Sequence, residues 1–556
     1  MSTVDQSPDR TLRTGSAGTL ARDNPEQQSG ASRAPLPIPT DRLSWLWLVI
    51  GASLMPVAYF QTIWPIAAWL APVFLMRFSR TQRLAVGLPL LVLAEGLGAA
   101  IGFRNGFIPA PVGTPAVLPQ VGGALEYALL FSLPFVLDRL LAGRLPGAPR
   151  TLVYPSAAVA VDFVALFLPY RTNFGSPAYT QYGDLPLMQL VSLSGVWGLT
   201  FLVSWLAPAV NEVWERGAAP RVLRYSLLPF GLVLAGALVY GNARLTFTPP
   251  APEVRVAGLT PDRTLYLRAP NGESIFWPPI DEIARSSDAE RAQWHPRWMQ
   301  IVDDLLARSR QEARAGAKII TWPEEGAFIL KEDEPAVLEQ ARAVAREEHV
   351  YLQLGLQPIL RTQQFPFAEN RAVLIDPSGD VVWDYRKAYP IPFAESLEYP
   401  GGPAVVPFTD TPYGRLAGVI CYDSDWVPYL RQAGLAQVGL LLAPANDWPA
   451  IKNDHTHLSV YRAVENGFSM MRPDAKGLSL AVDPFGRELA QGDYYSTDRL
   501  DIVAMMPVQA IPTLYSRIGD VVAYASILLV IALTVLGFAP GLRRQPDGGT
   551  RAPTPA

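Results

Sequence analysis

The chain has 556 residues, of which 49% are hydrophobic and only 17% are charged. Soluble globular proteins usually have about a quarter of their residues charged, so this composition favours a protein with a large membrane-embedded part. The formal net charge of −4 gives no indication of a nucleic-acid partner. The single cysteine, Cys421, excludes an intrachain disulfide and a multi-cysteine zinc site.

Long apolar segments lie between residues 43 and 245, and one more begins near residue 521. Each is close to the twenty or so apolar residues that cross a bilayer as a helix. Residues 1–42 are rich in Ser, Pro, Arg and Gly and read as a disordered tail without the order of a removable signal peptide. We predict eight transmembrane helices, at residues 43–59, 61–77, 84–103, 123–142, 151–168, 187–210, 225–245 and 521–540.

Arginines follow every second predicted span, whereas the loops near 104–122 and 169–186 hold one arginine each. This alternation is the positive-inside pattern, and it predicts that both termini are cytoplasmic. The pattern therefore places an extracytoplasmic domain at 250–518, between helices one to seven (43–245) and the eighth helix (519–541), with a cytoplasmic tail at 542–556. The arginines are Arg77, Arg80, Arg83, Arg139, Arg144, Arg150, Arg216, Arg221, Arg224, Arg543 and Arg544.

Strands and helices alternate within residues 250–518, and several of the strands are continuously apolar. This pattern predicts a layered α/β fold. Residues 262–296 have little periodicity and several prolines, so we expect a long loop, which is usually functional or mobile. The predicted strands are 254–259, 318–322, 351–356, 372–376, 381–385, 416–421 and 438–442, the predicted helices are 298–315, 334–348, 427–433 and 455–466, and a hairpin surrounds 484–486.

Three ionisable residues lie where predicted strands end, which is where sites assemble in layered α/β folds. Cys421 is a good nucleophile only as a thiolate. Glu324, beside the apolar Trp322 and Pro323, could take the thiol proton, and Lys387 could stabilise an oxyanion. Taken one at a time, these residues more often have ordinary roles: a buried inert thiol for Cys421, a loop carboxylate for Glu324 and a solvated charge for Lys387. The prediction therefore depends on the presence of all three together.

The motifs around these residues resemble those of the nitrilase, or carbon–nitrogen hydrolase, superfamily. The resemblance implies an αββα sandwich, a catalytic Glu324–Lys387–Cys421 triad, and supporting roles for Glu395 beside the lysine and for Tyr422 and Asp423 after the nucleophile. The motifs are Trp322-Pro323-Glu324, Arg386-Lys387 with Pro392-Phe393-Ala394-Glu395, and Ile420-Cys421-Tyr422.

Eight spans with a catalytic domain before the last one are similar to the membrane branch of that superfamily, the apolipoprotein N-acyltransferases. Segments 193–202, 445–448 and 513–520 also resemble that family. The resemblance implies a monomer in the bacterial inner (plasma) membrane, with no metal or organic cofactor. It further implies that Cys421 takes an acyl chain from a phospholipid as a thioester and passes it to the N-terminal amine of a diacylglyceryl-cysteine lipoprotein.

Other interpretations use the same residues. Two adjacent carboxylates, Glu324 and Glu325, compete for the role of base, and the position next to Pro323 favours Glu324. A membrane-anchored amidase would use the same triad with water as acceptor. A transporter or a binding protein with an inactive domain is less compatible, because Glu95 and Asp162, which lie in predicted spans, are isolated and have no obvious basic partner within a span.

Three aromatic residues near the motifs, Phe328, Trp426 and Trp448, are candidate substrate-binding residues. Large apolar side chains beside the site would favour an acyl chain over a water-admitting pocket. Aromatic residues at such positions are as often ordinary core or rim residues.

Overall fold

The structure is a computed structural model, and it describes residues 41–106, 117–168, 173–273, 275 and 277–539. All but the last two residues of the predicted tail 1–42 lie outside these ranges. The predicted tail 542–556 lies outside them as well, with Arg543 and Arg544.

Apolar helices precede the α/β domain, and one more follows it. Five of the described helices are long and apolar enough to cross a membrane. The other helices in the predicted spans are shorter or less apolar, so the count of eight stays a prediction. The five are Leu84–Gly102, Val117–Leu141, Val196–Arg216, Leu227–Phe247 and Val521–Phe538, and the others are Ser44–Leu54, Pro65–Thr81 and Gly147–Ala165.

The predicted sixth span, 187–210, is wrong in its bounds because Gly195 interrupts the helix. Gly195 has a φ of +63°, in the left-handed region that favours glycine. A Cβ at this position would also lie 2.6 Å from the ring of Tyr515. Two short helices, Leu185–Met188 and Val191–Ser194, precede the glycine, and the long helix Val196–Arg216 begins after it.

Several of the arginines that predicted the orientation are buried in ion pairs. Arg80 is 2% exposed and makes two contacts of 2.7 Å with the carboxylate of Asp138. Arg150 pairs with Glu212 at 2.6 Å, and Arg77 is also buried. These side chains connect helices to one another, and their charges are balanced by carboxylates. They are therefore weaker evidence for orientation than free loop arginines, and the cytoplasmic placement of both termini stays a prediction.

The α/β domain contains two sheets, one of seven strands and one of six. The strands are β1 (Glu253–Leu259), β2 (Ile319–Thr321), β3 (Ala327–Leu330), β4 (Tyr351–Ile359), β5 (Arg371–Ile375), β6 (Val381–Arg386), β7 (Phe408–Thr411), β8 (Gly414–Gly418), β9 (Leu440–Leu442), β10 (Ser469–Arg472), β11 (Leu478–Val482), β12 (Glu488–Asp493) and β13 (Asp501–Pro507).

Each sheet has a parallel centre with antiparallel strands outside it. The first sheet has the order β13-β1-β2-β4-β5-β6, with β3 paired to β4, and strands β1, β2 and β4 are parallel. The second has the order β12-β11-β10-β9-β8-β7, with β8, β9 and β10 parallel. Parallel strands bring their carboxyl ends to one edge, where loops can assemble a site.

Alternate residues of the first sheet enter different cores, as expected for strands with both faces buried. Val256 of β1 shares a core with Leu416 of the second sheet, whereas its neighbour Ala257 shares one with Trp298 of an outer helix. The layers are therefore helix, sheet, sheet and helix, and the predicted α/β sandwich is confirmed. The helices His295–Arg314 and Glu334–Glu348 cover the first sheet, and Lys452–Asn466, beside Val427–Leu435, covers the second.

Residues 262–296, for which the sequence predicts a long loop, are partly helical and packed. They contain three short helices, and Tyr266, Ile280 and Ile283 are buried in the outer core of the first sheet. Helices of four to six residues are too short to give a detectable periodicity. A capping box of Ser287 and Glu290 begins the last of them. The helices are Arg263–Tyr266, Ile280–Arg285 and Asp288–Arg291.

The helix Lys452–Asn466, called here the interface helix, joins the α/β domain to the apolar helices. The hydroxyl of Tyr461 donates to the carbonyl oxygen of Ala178 at 3.0 Å. Oε1 of Glu465 accepts from the backbone N–H of Val196, the first residue of a long apolar helix, at 2.7 Å. These buried contacts hold the α/β domain against the helical part of the molecule.

Candidate active site

Glu324 lies in a tight turn between β2 and β3. The N–H of Gly326 donates to the carbonyl oxygen of Pro323 at 3.1 Å and closes the turn. A Cβ on Gly355 of the neighbouring β4 would lie 1.7 Å from that same carbonyl oxygen, so only glycine allows the strand to approach. Glu324 is 1% exposed, and this burial raises the pKa of its carboxyl group although the charge of Lys387 opposes the change.

Lys387 follows β6, and its side chain is buried between two carboxylates. Its Nζ lies 2.7 Å from Oε1 of Glu324 and 2.7 Å from Oε2 of Glu395. Burial disfavours the ammonium, but the two carboxylates outweigh it and raise the pKa of Lys387 well above its usual range. The Nδ2 group of Asn370 donates a second hydrogen bond to Oε1 of Glu324, at 2.7 Å. Lys387 therefore keeps its positive charge, and this charge lies against the carboxylate of Glu324, which Asn370 holds in place.

Cys421 lies in a turn after β8, not at the end of the predicted strand 416–421. The strand ends at Gly418, and Cys421 begins a short 3₁₀ helix with a φ of +47°. A left-handed backbone at a residue other than glycine is strained, and such strain concentrates at functional sites. The thiol is 3% exposed, and burial, together with the charge of Glu324, raises its pKa well above the usual range. The resting thiol is therefore neutral and needs a base.

Asp423 fixes the turn that carries Cys421. Its Oδ2 accepts from the N–H of Ile420 at 3.0 Å and from the hydroxyl of Tyr385 at 2.7 Å. Its Oδ1 accepts from the N–H of Tyr389 at 2.9 Å, and burial raises the pKa of Asp423 to about 7. Tyr422, the other predicted supporting residue, is buried beside it. The carboxylate thus ties the cysteine turn to the segment that follows Lys387.

Glu325, the competing candidate for the base, has different partners. Its Oε2 accepts from Nδ2 of Asn446 at 2.7 Å and from Nε1 of Trp277 at 3.2 Å. Lys387 donates to Glu324, and hydrogen bonding to the thiol of Cys421 also acts on Glu324. The geometry therefore favours Glu324 as the partner of the cysteine.

The three candidate substrate-binding residues lie in three different surroundings. Trp426 stacks on Tyr389 with a centroid distance of 4.5 Å and an interplanar angle of 15°. Trp448 reaches the helical part, where its Nε1 donates to the carbonyl oxygen of Asn105 at 3.1 Å. Phe328 is 3% exposed and packs in the outer core of the first sheet. The three side chains therefore do not line one common pocket.

A buried charged cluster beside Cys421 is a feature that the sequence analysis did not predict. Nε2 of His455 lies 2.8 Å from Oδ1 of Asp425, and Nδ1 lies 2.5 Å from Oδ1 of Asp447. The same Oδ1 is 4.0 Å from the sulfur of Cys421, and Arg472 pairs with Asp447 at 3.0 Å. The available signal was the position of His455 at the start of a predicted helix that closely follows segment 445–448.

The charges of this cluster favour a hydrogen-bonded network over a metal site. Burial lowers the pKa of His455, but Asp425 and Asp447 outweigh it and raise the value to about 10. Cys421, Asp447 and His455 offer three ligand atoms within 4.8 Å of one another, a spacing that could hold a metal ion. The guanidinium of Arg472 lies 3.0 Å from Nδ1 of His455 and opposes a cation there.

Two protein-family models match different parts of this chain. The model described as carbon–nitrogen hydrolase matches residues 285–508, and the model described as apolipoprotein N-acyltransferase N-terminal domain matches residues 51–209. The sandwich and its buried site therefore define an enzyme domain of the carbon–nitrogen hydrolase class.

Curated relatives match over most of the chain. Apolipoprotein N-acyltransferase of Geobacter metallireducens is 24% identical over 530 residues, which cover 89% of this chain and 96% of the relative. That of Rhodopseudomonas palustris is 26% identical over 473 residues, covering 79% and 80% respectively. An amidase crystal structure from Nesterenkonia sp. is 18% identical with a TM-score of 0.37, covering 50% of this chain and 98% of the amidase. The two family models and the curated relatives together match most of the chain, and they confirm the predicted resemblance to the apolipoprotein N-acyltransferase family.

Proposed function

We propose that this protein moves an acyl chain from a phospholipid to the N-terminal amine of a diacylglyceryl-cysteine lipoprotein. The observation that carries the proposal is the meeting of Glu324, Lys387 and the cysteine turn in one buried site. That site lies in the part of the chain that matches the carbon–nitrogen hydrolase model, and the N-terminal part matches the model of the apolipoprotein N-acyltransferase N-terminal domain. Glu324 acts as general base and acid, Lys387 stabilises the oxyanion, and Cys421 is the nucleophile.

In the first half-reaction the carboxylate of Glu324 takes the proton of the Cys421 thiol, and the sulfur attacks the ester carbonyl carbon. Lys387 stabilises the oxyanion of the tetrahedral intermediate, and Glu395 supports the lysine from its other side. Glu324 then returns its proton to the glycerol oxygen as the ester bond breaks. The products are a thioester on Cys421 and a lysophospholipid.

In the second half-reaction the acceptor amine attacks the thioester carbonyl, and Lys387 again stabilises the oxyanion. A carbon–nitrogen bond forms and the carbon–sulfur bond breaks, while Glu324 carries a proton from the nitrogen to the sulfur, so that Cys421 returns to the thiol. The enzyme alternates between free and acylated forms, which is ping-pong chemistry. The residues of the chain itself are sufficient for these steps, without a metal or organic cofactor.

The membrane supplies both substrates to the site. The interface helix carries His455 near Cys421 at one end and contacts the apolar helices at the other. Trp448, which bonds to Asn105 beyond the helix Leu84–Gly102, and Trp426 are the candidate acyl-chain contacts. The proposal places the protein in the bacterial inner membrane as a monomer, with the α/β domain on the extracytoplasmic side.

A membrane-bound amidase is the second candidate function, because water could replace the amine in the second half-reaction. The match of residues 51–209 to the acyltransferase N-terminal domain favours the acyltransferase. A transporter or an inactive binding protein would have no need of a buried nucleophile with a paired glutamate and lysine.

Intact-protein mass spectrometry tests the proposal. We expect that incubation of the purified protein with phospholipid adds one acyl chain, that hydroxylamine removes it, and that Cys421→Ala never gains it. The Glu324→Gln variant, which keeps the size of the side chain, should acylate at least about a hundredfold more slowly. If the native protein stayed unmodified while the phospholipid was shown to be intact, the proposal would be contradicted. If water hydrolysed the adduct and no acyl chain passed to a lipopeptide, the result would favour the amidase.

A further inference from the structure

We propose that Glu325 takes the proton of the acceptor's ammonium group before the amine attacks the thioester, which makes it a second acid–base residue of the transfer step. This inference rests on the proposed function. The α-amino group of a peptide has a pKa near 8, so most of it is protonated at neutral pH. An ammonium has no free electron pair, and Glu324 is already engaged with the proton that the attacking amine must pass to the sulfur.

The backbone at Glu325 is strained. Glu325 occupies the third position of the turn that Gly326 and Pro323 close, and its φ is +52°. Glycine or asparagine is preferred at that position of such a turn. A glutamate kept there at a cost on the order of 1 kcal/mol points to a function for its side chain.

The contacts of Glu325 place its carboxylate at the margin of the catalytic site. Its Oε2 accepts from Asn446, and the next residue, Asp447, has an oxygen 4.0 Å from the sulfur of Cys421. On its other side it accepts from the indole of Trp277, which belongs to the segment of short helices 262–296. Glu325 is 2% exposed, so its carboxylate is buried beside these partners when no substrate is bound.

The charges around Glu325 suit a group that gains and loses a proton. Burial, with the charges of Glu324 and Glu395, raises the pKa of Glu325 to about 7, although the charges of Lys476 and Lys387 oppose the change. Burial also lowers the pKa of Lys476, whose Nζ lies 3.2 Å from the ring centroid of Trp277. A carboxyl group that titrates near neutral pH is suited to accept a proton from an ammonium and then release it to solvent.

In the proposed step the nitrogen of the acceptor loses two protons. One N–H bond of the ammonium breaks, and its proton goes to the carboxylate of Glu325. The freed electron pair of the nitrogen attacks the thioester carbon, so that the carbon–nitrogen bond forms and the carbon–sulfur bond breaks. A second nitrogen proton passes through Glu324 to the sulfur of Cys421. Glu325 then loses its proton to solvent, and the enzyme returns to its starting state.

The test separates the two half-reactions. The full-length enzyme is first acylated with phospholipid, a synthetic diacylglyceryl-cysteine peptide is added, and loss of the adduct is followed by mass spectrometry from pH 6 to 9.5. For Glu325→Gln we expect aminolysis to slow about tenfold at pH 7, because only about a tenth of an amine with pKa near 8 is neutral there. The deficit should close above pH 9, and acylation by phospholipid should slow much less. Glu282→Gln, at an exposed position in the same segment of short helices, is the matched control and should follow the native profile.

A second variant gives an independent measurement. Trp277→Phe keeps a ring near Lys476 but removes the N–H that stabilises the charged form of Glu325. We therefore expect the acid limb of the aminolysis profile to move to higher pH in this variant. An equal slowing of both half-reactions in Glu325→Gln, a deficit that does not change with pH, or an unmoved limb in Trp277→Phe would overturn the assignment. A native enzyme that never forms the adduct would instead overturn the proposed function and the assignment with it.

Discussion

Nζ of Lys387 lies 2.7 Å from Oε1 of Glu324, and both side chains are almost fully buried. Glu395 approaches the same ammonium from another side at 2.7 Å. Two carboxylates thus share one cation, and the pKa of Glu324 is raised by burial while that of Lys387 is also raised. The pair can therefore carry an extra proton on Glu324 without losing the lysine charge that an oxyanion requires.

Replacing Lys387 with Met should both destabilise the protein and stop the reaction. The variant leaves the carboxylates of Glu324 and Glu395 buried without their cation, which costs about 3–5 kcal/mol when one partner of a buried pair is removed. It also removes the oxyanion partner, which we expect to lower the rate of acylation by about 10²–10³-fold. Acyl-adduct formation and thermal unfolding in detergent measure the two effects.

The matched control is Lys331→Met. Lys331 also contacts two carboxylates, those of Glu334 and Glu369, but its side chain is 40% exposed and lies outside the site. We expect native acylation and only a small loss of stability, because exposed ion pairs contribute little. Acylation by Lys387→Met at the rate of this control would contradict the proposed role of the lysine.

Gly355→Ala tests the close approach of β4 to the turn that carries Glu324. The added Cβ would lie 1.7 Å from the carbonyl oxygen of Pro323 and 3.3 Å from the Cα of Glu324, so the backbone of the turn must move. We expect a loss of about 1–3 kcal/mol of stability from overpacking and a fall of about 10²-fold in acylation from displacement of the base.

The comparison for this variant is Gly122→Ala, in the helix Val117–Phe131. Apart from the neighbouring residues and backbone of its own helix, no described heavy atom lies within 4 Å of a Cβ at that position, and alanine favours a helix over glycine by about 1 kcal/mol. It should leave activity and stability at or above native levels. A fully active Gly355→Ala enzyme would show that the position of the Glu324 turn is not fixed by this strand.

The sequence predicted those parts of the fold that depend on local pattern. Continuous apolar runs and turn residues located most strands of the sandwich, including the hairpin of β5 and β6, but they missed β3, β7, β10 and β13. The motifs predicted Glu324, Lys387 and Cys421 as site residues. The predicted bounds of the sixth span were wrong at Gly195, because a single residue with a left-handed backbone does not change the average hydrophobicity of the segment. The short helices of residues 262–296 and their packing were also not predicted, since these helices are shorter than one amphipathic repeat.

The cluster around His455 was beyond sequence reasoning for a different reason. Its members come from the cysteine turn, the loop after β9, the interface helix and β10, and only the packed second sheet brings them together. A histidine without a nearby partner in the sequence reads equally well as a surface residue. Its two carboxylate partners, Asp425 and Asp447, become visible only in three dimensions.

This histidine makes stability depend on pH in a defined window. The pKa of His455 is about 10 in the folded protein, against a usual value of 6.5. A group whose pKa is raised on folding contributes its full stabilisation below the unfolded value and loses it as the pH rises through the folded value. The imidazolium should therefore contribute a few kcal/mol below pH 6.5, and this contribution should disappear between pH 6.5 and 10.

His455→Asn removes the titrating group while keeping a polar side chain, and His349→Asn is the control. His349 is exposed and has a left-handed φ of +52°, a conformation that asparagine tolerates well. We expect the native protein and the control to lose thermal stability from pH 6.5 to 10 in parallel, and His455→Asn to start lower and change much less. If all three proteins lost stability equally over this range, His455 would not be the source, and its charge could not be what balances Asp425 and Asp447 beside the nucleophile.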